Sequence, residues 1–134
     1  KEYFPKKRII DLDLKKNDKV PYEGVLHLDC TFNPVGKDKC IIYKNGFVDQ
    51  NDYELIIDIF GEENCFHVTD EEMFEMNPNI FSISPEVVVS DHTFTRMNKH
   101  LRDVWGFTVE EIPYREVSKM GGLLRCSTMP LVRE

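Results

Sequence analysis

A histidine and a carboxylate share one side of a strand-like segment early in the sequence. Residues 25–32 read Val-Leu-His-Leu-Asp-Cys-Thr-Phe, and a turn Asn-Pro-Val-Gly is predicted at 33–36. Successive side chains of a strand point to opposite faces, so this segment predicts one face with His27 and Asp29. The other face would be a core face, formed by Leu26, Leu28, Cys30 and Phe32. A histidine beside a carboxylate can transfer protons and bind a cation. A sheet face that is polar by chance is the alternative.

A second reactive residue, Cys126, follows a pair of glycines. Residues 121–130 read Gly-Gly-Leu-Leu-Arg-Cys-Ser-Thr-Met-Pro. We predict a strand over 123–132, with Cys126 on the same face as Leu124 and Thr128. Two glycines permit a strained turn or a close approach of the backbone to a ligand. A cysteine there would be a nucleophile if a nearby histidine or cation favoured the thiolate, and a simple packing residue otherwise.

The elements that must position these residues form an internal repeat. The first unit is predicted as two strands, a helix and a third strand. Its helix, near 50–60, begins after the N-cap Asp49, ends at Gly61 and repeats apolar residues at helical spacing. The predicted strands of this unit are 25–32, 39–44 and 65–68.

A second unit has the same order of elements. Its helix, predicted near 93–105, ends at Gly106 and presents one apolar face, formed by Phe94, Met97, Leu101, Val104 and Trp105. Its strands are predicted at 80–84, 86–90 and 107–112. The chain therefore holds two ββαβ modules in tandem, an α/β arrangement, and the strand at 123–132 would begin another. Because repeats bury their cores against neighbours, we expect further modules upstream, in the same gene or a separate chain.

Composition narrows the class of protein. With 134 residues, 41% hydrophobic and 31% charged, the chain is typical of a globular protein with one modest core. A net charge of -7 argues against a nucleic-acid partner. No apolar run is long enough for a membrane span and no signal peptide is visible, so we expect a cytoplasmic protein. Residues 1–20 are expected to be a linker or N-terminal connection, and residues 21–134 the modules.

The spacing of cysteines and histidines does not predict a metal site. The four cysteines form no C-x-x-C pair, and reduced thiols are expected rather than two disulfides. His67, His92 and His100 lack partner spacing for a metal and are predicted to be structural or exposed. The acidic stretch 70–72 is predicted to be a connector or helix start. We expect neither a metal nor a cofactor.

Three segments, in order, resemble the motifs of the guanidino-group-modifying superfamily, the penteins. They are Leu-His-Leu-Asp-Cys-Thr-Phe-Asn-Pro-Val-Gly at 26–36, Asn-Ile-Phe-Ser-Ile-Ser-Pro-Glu-Val-Val-Val at 79–89, and Gly-Gly-Leu-Leu-Arg-Cys-Ser-Thr-Met-Pro-Leu at 121–131. The group includes arginine deiminases, agmatine deiminases, amidinotransferases and dimethylarginine dimethylaminohydrolases. The resemblance implies a propeller of five ββαβ modules around an active-site channel. This chain would be a partial α/β propeller, the C-terminal part of that fold.

The resemblance also implies roles for individual residues. Cys126 matches the nucleophile that forms a covalent thiouronium, and His27 matches the acid/base. Asp29 matches the carboxylate that binds the guanidinium in deiminases and amidinotransferases, and Asn79 matches a residue of the substrate site. A guanidinium is a poorly electrophilic cation, so its chemistry requires a soft nucleophile, a proton donor and anionic anchors.

Two departures from the family pattern concern activity and substrate. The Asp or Glu pair of the N-terminal modules has no counterpart before His27. The arginine that often precedes the glycines in arginine deiminases is also absent, because residues 118–120 read Ser-Lys-Met. Arg125 could be a substitute anchor for a substrate carboxylate, or a solvated strand residue.

The function predicted from the sequence is hydrolysis of the deiminase type. Its substrate would be a small molecule with a guanidino or ureido group, arginine or a relative. An amidinotransferase that passes the amidino group to an amine is one alternative. A non-catalytic propeller fragment that acts as a binding module is the other.

Overall fold

A computed structural model describes residues 8–17, 19–20, 23–119 and 121–129. The strands within these ranges are β1 (Phe32–Val35), β2 (Lys39–Ile42), β3 (Cys65–His67), β4 (Phe81–Ser82), β5 (Val87–Asp91) and β6 (Thr108–Ile112). The α-helices are α1 (Gln50–Phe60), α2 (Asp70–Phe74), α3 (Thr95–Asp103) and α4 (Arg115–Ser118). Short 3-10 helices cover Leu28–Cys30, Lys44–Gly46 and Glu62–Asn64. None of the described helices combines the length and apolar character that a bilayer crossing requires.

Each module forms its own three-stranded sheet. In the first, β2 lies between an antiparallel β1 and a parallel β3, with Cys40 opposite Cys65. In the second, β5 lies between an antiparallel β4 and a parallel β6, with Val87 opposite Thr108. Parallel neighbours need a crossover connection, which α1 and α3 provide. The predicted tandem ββαβ repeat is therefore confirmed.

The helices follow their predicted signals closely in the first module and less closely in the second. Asp49 accepts a hydrogen bond from Asn51 N at 2.9 Å, and α1 ends at Gly61, whose φ is 83°. In the second module α3 covers 95–103, a shorter span than the predicted 93–105. Val104 is 66% exposed, so the predicted apolar face does not extend to it. The acidic stretch at 70–72 begins α2, where Thr69 and Glu72 form a capping box.

One hydrophobic core joins the two modules. It includes residues from both sheets, from α3 and from the segment that precedes Cys126, among them Val35, Ile41, Phe66, Ile80, Val88, Met97, Leu101, Leu123 and Leu124. A smaller cluster lies between α1 and the first sheet, with Cys40, Ile42, Phe47, Tyr53, Ile56 and Cys65. Burial of Leu123 and Leu124, at 0% and 4% exposure, fixes the base of the Cys126 loop. Each such leucine contributes roughly 1.5–3 kcal/mol.

The strand predicted at 25–32 is wrong for most of its length. Residues 28–30 form a 3-10 helix, in which the N–H of Cys30 donates to His27 O and that of Thr31 to Leu28 O. Strand β1 begins only at Phe32 and includes Asn33 and Pro34, so the predicted turn at 33–36 is displaced to 36–38. Leu26 and Leu28 are 47% and 41% exposed, so the predicted core face is wrong for the two leucines, whereas Cys30 is buried and Phe32 packs on the smaller cluster.

The strand predicted at 123–132 is also wrong where the structure describes it. Residues 124–127 form a turn, and the N–H of Ser127 donates to Leu123 O at 3.1 Å. The hydroxyls of Ser127 and Thr128 donate to carbonyls four positions back, at 2.6 and 2.9 Å. Such local bonds from Ser and Thr compete with strand pairing. Residues 130–132 of this prediction lie outside the described residues.

Part of the predicted linker at 1–20 lies against the first module. Leu14 forms a β-bridge with Phe47, and the N–H of Val48 donates to Asp13 O at 2.9 Å. The N–H of Asp13 donates to Asp52 at 3.0 Å, at the start of α1. Residues 1–7 and 18 of this stretch lie outside the described residues.

Candidate active site

Two loops distant in sequence meet at the site. A ring nitrogen of His27, a carboxylate oxygen of Asp29 and Sγ of Cys126 all lie within 4.8 Å of one another. The Asp29 oxygens are 3.8 and 3.9 Å from Cys126 Sγ, although the two residues are 97 positions apart. His27 and Cys126 are exposed and Asp29 is half-buried, so the cluster is open to a ligand.

A buried asparagine, Asn79, connects these loops. Its Oδ1 accepts hydrogen bonds from the N–H groups of Leu123 at 2.9 Å and Cys126 at 3.1 Å. Its Nδ2 lies 3.2 Å from Cys126 Sγ, to which it donates, and 3.4 Å from Asp29 O. The side chain is 0% exposed. A direct contact of this amide with substrate stays a prediction, and its burial argues against one.

A second asparagine, Asn33 on β1, holds the segment that carries Asn79. Its Nδ2 donates to Pro78 O at 2.7 Å and to Ile80 O at 3.0 Å. The first module is thus hydrogen-bonded to the residues on both sides of Asn79. The sequence places Asn33 in a turn, and only the position of residues 78–80 in the fold reveals its partners.

Two glycines shape the loop that carries Cys126. Gly121 and Gly122 have φ of 81° and 112°, which are left-handed conformations that other residues rarely adopt. A Cβ on Gly122 would lie 2.8 Å from Cys126 Cβ and 3.1 Å from its Sγ. A glycine is therefore required here for a close approach, as predicted, but the group that lies close to it is the side chain of Cys126 and not a ligand.

An apolar cavity of about 480 Å³ lies beside this loop. Its walls include Val25, Leu26, Cys30, Met73 and Gly121, with Arg115 and Lys119 among the charged lining residues. The cavity therefore borders both segments that carry the cluster. It offers apolar space next to the cluster of His27, Asp29 and Cys126.

Comparison with known proteins shows which family and which folds the chain resembles. The arginine deiminase family model matches residues 45–133. The chain belongs to the arginine deiminase family. It is 30% identical over 112 residues to the uncharacterized protein YkgA of Bacillus subtilis, covering 84% of the chain and 37% of YkgA. The chain thus spans little more than a third of that relative.

Solved structures show the same fold. The N-terminal domain of ArgZ, a cyanobacterial arginine dihydrolase with product bound, is 21% identical with a TM-score of 0.80, over 98% of this chain and 46% of that one. SxtG, an amidinotransferase from Microseira wollei, is 21% identical with a TM-score of 0.64, over 82% of this chain and 32% of that one. The predictions of pentein membership and of a partial α/β propeller are confirmed.

Cys30 lies on the site side of the loop, and its predicted position on an opposite face is wrong. Its Sγ is 3.8 Å from both Asp29 Oδ1 and Asn79 Nδ2, atoms that Cys126 also contacts. The residue is 1% exposed, and burial raises the pKa of its thiol to about 12. The error arises because the 3-10 helix turns Cys30 away from the alternation of a strand.

The remaining candidates occupy less central places in this member of the arginine deiminase family. Arg125 is half-buried and its N–H donates to Asn79 O at 3.1 Å, while an anchoring role for its guanidinium stays a prediction. His100 packs against Phe66 and Trp105, and burial lowers the pKa of its imidazole. This agrees with a structural role. Among the described residues, His27, Asp29 and Cys126 are the donors close enough together to hold a metal ion.

Proposed function

We propose that this chain supplies the nucleophile, the acid/base and a substrate-binding carboxylate of a deiminase-type hydrolase. Its substrate would carry a guanidino or ureido group, as arginine or a related compound does. The meeting of His27, Asp29 and Cys126 within 4.8 Å carries the proposal. That spacing suits one planar guanidinium, with its carbon at sulfur and its nitrogens at the carboxylate and imidazole.

The proposed reaction has two halves. The thiolate of Cys126 attacks the guanidinium carbon and forms a C–S bond. His27 gives a proton to one nitrogen, the C–N bond breaks, and ammonia or an amine leaves with the bonding electrons. In the second half His27 takes a proton from water, hydroxide adds to the same carbon, and the C–S bond breaks. The thiolate and a ureido product result.

Asp29 gives this site a preference for cations. A thiolate 3.8 Å from a carboxylate is repelled by it. A guanidinium bound between the two groups is attracted by both and offsets that repulsion. A cationic substrate would therefore favour the form of sulfur that attacks it.

We further propose that residues 21–134 work together with additional modules, in the same gene or a second chain. The arginine deiminase chemistry requires more acidic anchors than this cluster provides, and the chain spans 37% of YkgA. The chain together with those modules is called the complete enzyme below. All four cysteines are free thiols, which supports a cytoplasmic location.

Intact-protein mass spectrometry of the complete enzyme tests the proposal. Incubation with a guanidino substrate should add the mass of an amidino group when an amine leaves, or of the amidino group with the substrate's chain when ammonia leaves. Hydrolysis of this adduct should release a ureido product. Cys126→Ser should abolish the adduct, and His27→Ala should slow its formation and nearly stop its hydrolysis. Cys40→Ser, in the core away from the site, is the matched control. An adduct that survives in Cys126→Ser would overturn the assignment.

Amidino transfer is the second candidate, favoured by the shared fold with the amidinotransferase SxtG. The first half of the reaction would be the same, and an amine would replace water in the second. The same assay with added amines distinguishes the two, because transfer yields a new guanidino compound. Binding of guanidino compounds without adduct or product would instead favour the non-catalytic module.

A further inference from the structure

We propose that Asn79 is a positioning residue for the proposed chemistry, one that fixes the place of Cys126 and donates a hydrogen bond to its sulfur. The inference rests on the proposed function for its meaning in catalysis. Its structural basis is independent of any substrate. It concerns one buried side chain that contacts both loops of the site.

The acceptor side of the Asn79 amide fixes the nucleophile loop. Oδ1 binds the backbone N–H groups of Leu123 and Cys126, at 2.9 and 3.1 Å, and the backbone carbonyl binds that of Arg125 at 3.1 Å. Three N–H groups of the loop are therefore satisfied by one residue. A loop held at both ends of a turn keeps its sulfur within the small tolerance that catalysis requires.

The donor side of the amide faces sulfur. Nδ2 is 3.2 Å from Cys126 Sγ and 3.8 Å from Cys30 Sγ, and it also approaches Asp29 O at 3.4 Å. An N–H that points at sulfur favours the thiolate over the thiol. The Asp29 carboxylate, the His27 ring and the Cys30 thiol are the other titratable groups beside this sulfur. Asn79 is the neutral donor among them, and its contact with Cys126 is present before substrate arrives.

Only an amide meets both requirements at this position. Aspartate would keep an acceptor for the two N–H groups but would turn a second oxygen towards Cys126 Sγ and Asp29 O. Those groups are acceptors or become anionic, so the contact would change from attraction to repulsion. Asn79→Asp is therefore the sharpest substitution, since it changes the donor and preserves the shape.

The control is a second buried asparagine, Asn98. It is 2% exposed, its Oδ1 accepts from Ser90 Oγ at 2.6 Å, and its Nδ2 donates to Asp91 O at 2.8 Å. Its amide oxygen and nitrogen both form hydrogen bonds, as those of Asn79 do, but the partners lie within the second module. Asn98→Asp should lower stability in a comparable way and leave Cys126 unaffected.

The test measures alkylation of Cys126 by iodoacetamide in the complete enzyme, across pH, with peptide mass spectrometry and a melting curve for each variant. In Asn79→Asp the rate at pH 7 should fall by roughly tenfold or more, because the sulfur loses its hydrogen-bond donor, and kcat should be reduced more than KM changes. Asn98→Asp should keep the wild-type rate. An unchanged rate in Asn79→Asp, or an equal fall in Asn98→Asp, would overturn the inference.

The reagent separates this inference from the proposed function, because iodoacetamide needs no guanidino site. If the alkylation rate falls but no guanidino compound is turned over, Asn79 positions a thiol and the proposed function fails. If wild type turns over substrate and Asn79→Asp alters neither alkylation nor kcat, the inference alone fails. Should Asn79→Asp not fold, Asn33→Asp is the second variant. It removes the hydrogen bonds to Pro78 O and Ile80 O that hold the segment carrying Asn79. It should slow alkylation to a smaller extent, and no slowing would count against the role.

Discussion

Cys126 occupies the space that a side chain on Gly122 would fill. An added Cβ at Gly122 would lie 2.8 Å from Cys126 Cβ and 3.1 Å from Sγ, and the glycine has a φ of 112°. Both facts require that this position has no side chain, because the cysteine occupies the space a Cβ would fill. The loop holds Cys126 between a glycine without a side chain on one side and the hydrogen bonds of Asn79 on the other.

Gly122→Ala should therefore displace Cys126 and reduce kcat. A displacement near 1 Å at the reacting atom costs roughly a hundredfold in rate. Gly106→Ala is the matched control, since Gly106 has a φ of 74° but nothing within 4 Å of an added Cβ. The control should lose about 1–2 kcal/mol of stability and keep its kcat. Equal kcat values in the two variants would contradict the role of this contact.

The cysteines should differ sharply in reactivity. Cys126 is exposed, whereas Cys30 is buried with its pKa raised to about 12, so Cys30 stays a neutral thiol up to pH 9. Iodoacetamide should modify Cys126 and spare Cys30, as seen by peptide mass spectrometry between pH 6 and 9. Modification of Cys30 at the same rate would contradict the structure.

Substitutions of Cys126 and Cys30 should distinguish a residue required for turnover from one that contributes mainly to stability. Cys126→Ser should lower turnover by about a thousandfold or more, because a hydroxyl is a far poorer nucleophile than a thiolate. Cys30→Ala should cost stability through the cavity it leaves, and reduce turnover less, since Cys30 contacts Asp29 and Asn79. Turnover and melting temperature, measured on both variants, check this order of effects.

Substrate choice is expected to disfavour free arginine. Ser118-Lys119-Met120 provides no arginine immediately before the glycines, the position where the family resemblance implies an anchor for a substrate carboxylate. Steady-state kinetics on free arginine, its decarboxylated form and ureido compounds should show another guanidino or ureido compound preferred. Arg125→Ala should raise KM for carboxylate-bearing substrates alone if Arg125 is the substitute anchor. A clear preference for free arginine would contradict the first expectation.

Acid should destabilise the second module through Asp91. Burial opposes its ionisation, but hydrogen bonds from Thr93 Oγ1, Thr93 N and Tyr114 N outweigh it and lower the pKa below 3.8. Because the folded pKa lies below the unfolded one, this contribution is complete above about pH 4 and is lost as pH falls through the folded value.

Asp91→Asn should therefore lower stability at neutral pH, by about 1–3 kcal/mol, with a smaller difference from wild type below pH 4. Asp58→Asn, at an exposed position of α1, is the control and should change little. Thermal unfolding at several pH values provides the measurement. A difference between Asp91→Asn and wild type that stays constant down to pH 2 would be inconsistent with this origin.

The parts of the fold that were predicted correctly are those determined by residues close together in the sequence. Helix α1 begins after Asp49 and ends at Gly61, both determined by neighbours in the chain. Apolar and polar residues alternate in the segment 25–31 as they do in a strand, yet its backbone conformation is determined by hydrogen bonds to residues outside the segment. For example, the N–H of Val25 donates to Lys15 O, and the ammonium of Lys16 to Val25 O at 2.9 Å. Alternation alone cannot distinguish such a segment from a strand.

The residues of the site could be predicted from the sequence, whereas the backbone geometry that brings them together could not. Motif resemblance pointed to His27, Asp29 and Cys126, and the fold brings them together. The geometry that does so arises from a 3-10 helix and a turn, where two strands were predicted. The hydrogen bonds that join Asn79 to Asp29, Cys30, Leu123 and Cys126, and Asn33 to residues 78 and 80, span 44 to 50 positions, so no local pattern could reveal them.

The sheets described above also set an order of events during synthesis. Within the described ranges, each sheet pairs strands of one module, so the first can form while the ribosome is still translating the second. Asn79 emerges between the two sheets, and Cys126 emerges after both. The nascent chain therefore carries no assembled cluster of His27, Asp29 and Cys126 until its two modules have packed together around their shared core.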